Sequence, residues 1–197
     1  MIEYTDKILR YYMKKDMDTR IKLFSIGFLS KPNEAIVWRG PMVSSAIKQF
    51  MHGVNWGALD YLIIDLLPGT GDVQLALVQN LPLSGAVIVS TPQKLAVADA
   101  SRACSMFELP AVNVPILGLV ENMAYFTPND QPEKQYYLFG EGGKNQLLEQ
   151  HQISLLGSLP IRTQDDSEKS IYTSENVKFF TEIAGNLVRS LAINNKL

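Results

Sequence analysis

The segment Tyr61-Leu-Ile-Ile-Asp65-Leu-Leu67-Pro68-Gly69-Thr70-Gly71-Asp72 places a carboxylate at the end of an apolar run and follows it with a glycine-rich turn. That pattern suits phosphate chemistry. A carboxylate at a strand's carboxyl end can hold Mg²⁺ through water, and glycines let backbone N–H groups approach a phosphoryl oxygen closely. The same residues also suit a plain strand-to-helix connection in which Asp72 caps the helix. Arg39, in Trp38-Arg39-Gly40-Pro41-Met42, can reach a phosphate or a partner subunit, or simply brace its loop. His52 and His151 stand on helical patterns without a second ligand nearby in sequence, so neither is assigned to metal or catalysis. Cys104 is the single cysteine, which excludes an internal disulfide and a metal site built from this chain's thiolates alone. As a small apolar residue inside a helix, it is expected in the core.

The elements that must position these residues alternate from Ile21 onward between short β-rich runs and longer helical patterns, the mark of parallel strands joined by crossover helices. The expected strands are 21–29, 61–66, 86–90, 116–120 and 154–159, several of them nearly all apolar, as for strands covered on both faces. Helices are expected over 43–51, 73–81, 93–108 and 144–150. A C-terminal helix follows, with Ser174 as N-cap and Phe180, Ile183, Ala184, Leu187, Val188 and Leu191 on one apolar face. The polar stretches 127–135 and 162–173 read as surface loops, and the first 20 residues show only a weak helical pattern. At 197 residues and 46% hydrophobic, the chain is long enough for one sizeable core, and a single domain over 1–197 is expected. A net charge of −2 argues against nucleic acid, and no run approaches a membrane span, so no membrane partner and a cytoplasmic location are expected.

Five segments occur in an order that resembles the Mrp/ApbC family of deviant P-loop ATPases, the iron-sulfur cluster carriers. They are Ile36-Val-Trp38-Arg39-Gly40-Pro41-Met42, the Asp65–Asp72 run, Ser90-Thr91-Pro92-Gln93, Gly118-Leu-Val-Glu121-Asn122-Met123 and Phe139-Gly-Glu-Gly-Gly143. The resemblance covers residues 21 to about 166. It implies an α/β fold, a doubly wound, mainly parallel sheet of the P-loop NTPase type, with ATP and Mg²⁺ as cofactors and a 4Fe-4S cluster as cargo. It implies nucleotide binding through Asp65, Gly69, Thr70, Gly71 and Asn122. Asp65 and Gly69 would match the switch that senses γ-phosphate and Mg²⁺, with Asp65 holding the metal through water. Asn122 would match a side chain that hydrogen-bonds adenine, a role its amide can fill by donating and accepting, although an Asn closing the turn after a strand reads equally from the residues. The implied partners are iron-sulfur apo-proteins and a second subunit, either another copy or an intact relative.

Three departures qualify these expectations. No G-x-x-x-x-G-K-S/T occurs, and Gly142-Gly143-Lys144-Asn145 reads as a mimic by composition only. The phosphate loop would fall before Met1, so the sheet is expected to lack its N-terminal strands, the catalytic set is expected to be incomplete, and the chain alone is expected not to hydrolyse ATP. The loop after Met123 carries no Cys-x-x-Cys, so no iron-sulfur ligands are assigned. Leu67 stands where the family has the first Pro of a Pro-Pro-Gly turn, which loosens the switch.

Overall fold

The computed structural model describes residues 22, 25, 51, 54–66, 69–128, 130–131, 133–161 and 174–194. The expected strand 21–29 and helix 43–51, the 36–42 segment with Arg39, His52, and the loop 162–173 lie outside the described residues, apart from Lys22, Ser25 and Met51. The chain divides into two compact units, Met1–Leu77 and Val78–Leu197, and the division falls within the first described helix, α1 (Asp72–Asn80).

In the first unit, Lys22 donates a hydrogen bond to the carbonyl of Trp56. The run Tyr61–Leu66 is a correction to the sequence expectation: it forms no strand among the described residues. Tyr61 and Leu62 are exposed and Ile63 is 87% exposed. A strand needs a ladder neighbour for its N–H and C=O groups, and an all-apolar run is suited to a strand only when both faces are covered. Asp72 is also not the cap. The carbonyl of Gly71 accepts from the N–H of Leu75, so Gly71 takes the cap position and Asp72 the first helical one.

The second unit holds a parallel three-stranded sheet in the order β1 (Ala86–Ser90), β2 (Ile116–Glu121), β3 (Leu155–Ser158). The crossovers are α2 (Lys94–Glu108) and α3 (Gly143–His151), and α4 (Ser174–Asn194) follows β3. All of these elements fall within one or two residues of the sequence reading. α2 and α3 pack together on one face of the sheet, as two successive crossovers of the same hand require. Buried Val97, Ala100, Cys104 and Phe107 form the α2 stripe over buried Ile88, with fully buried Leu147 from α3 beside them.

The other face belongs to α4, which packs on β2 and β3. Its sheet-facing side differs from the expected apolar face. Phe180, Ala184 and Val188 are exposed, whereas Ile183 lies over Gly157, Asn186 donates to the carbonyl of Leu156 (2.7 Å) and Ser190 donates to that of Leu117 (2.7 Å). Asn186 and Ser190 are not among the residues of the expected apolar face, and the irregular register of the β1–β2 and β2–β3 ladders leaves the carbonyls that they satisfy. Over β1 this face is open, with Val87 37% and Val89 62% exposed.

Candidate functional site at the carboxyl end of the sheet

In an open parallel sheet, ligands lie beyond the carboxyl ends of the strands, where the loops leave the sheet. Here all three strands end on polar residues in a single register row: Ser90 pairs with Glu121 and Glu121 with Ser158. Ser90 and Glu121 are buried although β1 and β2 are otherwise apolar. Three of the motif segments converge at this end: the turn Thr91-Pro92-Gln93 after β1, Asn122-Met123 after β2, and the glycine segment that opens α3.

The glycines explain how α3 is aimed. Gly142 sits at φ 83° at the N-cap of α3, in the left-handed region that glycine adopts without strain. A Cβ on Gly143 would lie 2.7 Å from the Pro92 carbonyl oxygen and 2.9 Å from Val97, so only glycine lets the helix start rest against the Thr91–Pro92 turn. Lys144, the next residue, then reaches inward. Its Nζ lies 2.8 Å from Glu121 Oε2 and donates a longer bond to Ser158 Oγ (3.4 Å), while Ser158 Oγ donates to the same Glu121 oxygen (3.0 Å). The Glu121 side chain is 6% exposed and that of Lys144 is 32% exposed. In Gly142-Gly143-Lys144 the lysine neutralises a buried carboxylate at the sheet end, a structural role that the sequence reading did not assign to it. The sequence signal for it was an acid ending an apolar strand and a lysine following two glycines.

Asn122 stands beside this cluster. Its N–H donates to the Ser90 carbonyl (2.7 Å), and its Oδ1 accepts from the N–H of Met123 (2.9 Å), a residue held at φ 54°. The turn-closing role of Asn122 is thus realised through its oxygen, and no partner for its amide nitrogen occurs among the described residues. Beyond it, Phe126 and Tyr136 exchange two backbone hydrogen bonds of 2.8 Å and close the loop 127–135 at its base, as the loop reading requires. Tyr137 stacks edge-on against Tyr125 at 6.4 Å.

The other predicted site residues belong to the first unit. Asp65 is exposed in the extended segment, and Gly69 (φ 102°), Thr70 and Gly71 are exposed in the turn before α1. Their glycine positions are open: a Cβ on Gly69 would meet only the Gln74 amide, at 3.8 Å.

Two further groups bear on chemistry. Cys104 is fully buried, and burial, then the nearby charge of Glu108, push its thiol up to about 11. A thiol that resists ionisation in a dry core does not fit an iron-sulfur ligand. His151, read from sequence as solitary, is partnered: Ser101 Oγ lies 2.9 Å from its Nε2 and Glu108 Oε1 2.9 Å from its Nδ1, and Gln150 donates to Ser101. The order of groups is that of a hydrolytic triad. Ser101, however, lies mid-helix, where the surrounding amides are consumed by the helical ladder, so nothing there could receive an oxyanion. The set clamps α2 to α3. Its bonds between the two helices join residues 43 to 50 apart in sequence, which is why no local pattern announced it.

Comparison with known proteins identifies the family. The model of the NUBPL iron-transfer P-loop NTPases, a ParA family, matches residues 6–192. The chain belongs to this family. It is 52% identical over 141 residues to an iron-sulfur cluster carrier protein of Synechocystis sp., covering 72% of this chain and 39% of the relative. It is 41% identical over 187 residues to the mouse iron-sulfur cluster transfer protein NUBPL, covering 91% of this chain and 58% of the relative. A solved nucleotide-binding protein from Archaeoglobus fulgidus, in complex with ADP, superposes with a TM-score of 0.58 at 36% identity, covering 84% of this chain and 57% of that one. The chain spans about half the length of the curated relatives it matches. The resemblance read from the motifs is thereby shown, and so is the α/β fold of the P-loop NTPase type.

Proposed function

We propose that this chain is the nucleotide-recognising, partner-binding portion of an iron-sulfur cluster carrier, binding the adenine end of a nucleotide at the carboxyl edge of its sheet and not hydrolysing ATP by itself. The observation that carries this reading is the convergence of Ser90–Gln93, Glu121–Asn122 and Gly142–Lys144 at that edge. Asn122 there offers an amide to a purine, and Glu121 is already neutralised by Lys144, so no unpaired buried carboxylate opposes an anionic ligand. The residues fit the adenosine half of a nucleotide. They do not fit the phosphate half, because the sequence contains no G-x-x-x-x-G-K-S/T to neutralise β/γ-phosphate charge. The cluster is cargo in this reading, held by partner thiolates and passed to iron-sulfur apo-proteins while this chain associates with a second copy or an intact relative.

The test is titration of the isotopically labelled chain with ADP and Mg²⁺. Perturbation of the Asn122 side-chain amide, and at least a tenfold weaker affinity in Asn122→Ala, are expected; tenfold corresponds to about 1.4 kcal/mol, the scale of one good hydrogen bond. Binding unaffected by that substitution would place the nucleotide elsewhere. ATP turnover by the isolated chain that disappears in Asp65→Ala would overturn the non-hydrolytic part.

A further inference from the structure

The turn that follows the Phe126–Tyr136 bridge is built of unusual residues for a solvent-facing loop. Tyr136-Tyr137-Leu138-Phe139 are four consecutive large apolar side chains, and all four are exposed, Leu138 at 62%. Exposed apolar residues scattered singly are ordinary, but a contiguous run of them marks an interaction site. The run is also held in shape. The Gly140 N–H donates to the Tyr137 carbonyl (3.1 Å), closing a turn with Leu138 and Phe139 at its two central positions, where polar residues, proline or glycine are usual. Tyr137 donates its hydroxyl to Gln135 Oε1 (3.0 Å) and rests edge-on against Tyr125, while the paired backbone bonds between Phe126 and Tyr136 fix the base. Nothing folds back over the run: every residue from Glu133 to Gly142 is exposed.

We infer that this apolar turn is a docking knob for a different protein, one that presents an amphipathic helix with lysine or arginine along the borders of its apolar stripe. The inference is independent of the nucleotide reading. Charge selects the borders. Asp130, Glu133 and Glu141 are exposed on either side of the run in sequence, and among the described residues there only Lys134 opposes them, since Lys144 is engaged with Glu121. An apolar centre with a rim of one sign favours the opposite sign on its partner. Size selects the helix. The ends of the 137–140 turn lie within about 7 Å of each other, so with Tyr136 the patch is about 10 Å long. Two helical turns carrying apolar residues at i, i+3, i+4 and i+7 span about 11 Å. A second copy of this chain does not suit the patch, because pairing it about a two-fold axis would set the same carboxylates against one another. An anionic lipid surface would meet the same repulsion.

The experiment titrates the full, isotopically labelled chain with a synthetic amphipathic peptide of about 18 residues, a length that can hold a helix, carrying a Leu/Phe stripe bordered by lysines. A control peptide keeps the stripe and replaces the lysines by glutamates. The lysine-bordered peptide should shift the amide signals of Tyr137, Leu138, Phe139 and Gly140, and the control should bind about tenfold more weakly or worse. Leu138→Ser, at an exposed turn position where the thermal midpoint should not move, should weaken binding by about tenfold. The double variant Glu133→Lys/Glu141→Lys should reverse the preference between the two peptides, which a merely sticky surface would not do. No shift at those four amides with saturating lysine-bordered peptide overturns the inference, as do equal affinities for the two peptides. Shifts at the same amides as the chain alone is concentrated overturn it in favour of pairing between copies. Co-sedimentation with phosphatidylserine vesicles that Leu138→Ser abolishes overturns it in favour of a membrane surface.

Discussion

Lys144→Met tests whether the cluster at the sheet end stabilises the fold. The substitution keeps most of the side-chain volume and removes the cation 2.8 Å from Glu121, whose side chain is 6% exposed. Stripping the partner from a fully buried pair costs about 3–5 kcal/mol, because the remaining charge stays buried without compensation. Two features reduce that figure. The Lys144 side chain is 32% exposed, so water reaches part of the freed carboxylate, and Ser158 continues to donate to Glu121 at 3.0 Å. The expected cost is therefore about 2 kcal/mol, roughly a 1 M fall in urea midpoint for a slope of about 2 kcal/mol/M. The double variant Glu121→Gln/Lys144→Met removes the uncompensated charge and keeps an acceptor for Ser158, so it should recover at least half of the loss. Arg102→Ala supplies the contrast: the Arg102–Asp99 pair is 2.7 Å apart, but its side chains are 70% and 63% exposed, and its loss should cost less than about 0.5 kcal/mol. Urea unfolding followed by tryptophan fluorescence and circular dichroism measures all three. If Lys144→Met costs no more than Arg102→Ala at an unchanged slope, the cluster does not hold the strands and α3 together as described.

Two other perturbations address the same helix pair. Gly143→Ala places a methyl 2.7 Å from the fixed carbonyl of Pro92, so a destabilisation of about 1–3 kcal/mol is expected, and a thermal midpoint within a degree of the parent's would show that the turn yields. Cys104 should resist a thiol reagent at pH 8 until the chain is unfolded, and stoichiometric labelling of the native protein within minutes would contradict its burial. Its thiol is raised on folding from 9.0 to about 11, so the folded state keeps a proton that the unfolded state gives up. The associated stability is fully present below pH 9 and falls as pH rises toward 11, a loss that Cys104→Ala should not show.

What the sequence revealed, and what it hid, follows from the range of the interactions involved. β1, β2, α2 and α3 were legible because their signals are local: apolar runs of strand length, a 97-100-104-107 stripe, and glycines marking the start of α3. The exposed residues of α4 were misassigned because a period of 3.6 finds an apolar face without knowing which carbonyls the sheet leaves open. Asn186 and Ser190 answer to Leu156 and Leu117, 30 and 73 residues away. Glu121, Lys144 and Ser158 were invisible as a group for the same reason: they meet only when register has aligned the ends of β2 and β3 and Gly143 has let α3 close on Pro92.

The run Tyr61–Leu66 and the strand β1 are both short and mostly apolar, yet among the described residues one is a strand and the other is not, and that difference separates propensity from structure here. Both are short, apolar and β-branched, and both suit a fully covered parallel sheet. β1 gains its ladder from β2 and its cover from α2, and pairing on that one edge is enough to keep Ile88 buried and the strand extended and bonded. Tyr61–Leu66 has no ladder partner among the described residues, and Ile63, the residue most suited to a sheet interior, is 87% exposed. β propensity reports how well a residue fits a pleated, covered surface, so without that surface the residues at 61–66 and the outer half of β1 express the same unmet demand in different degrees.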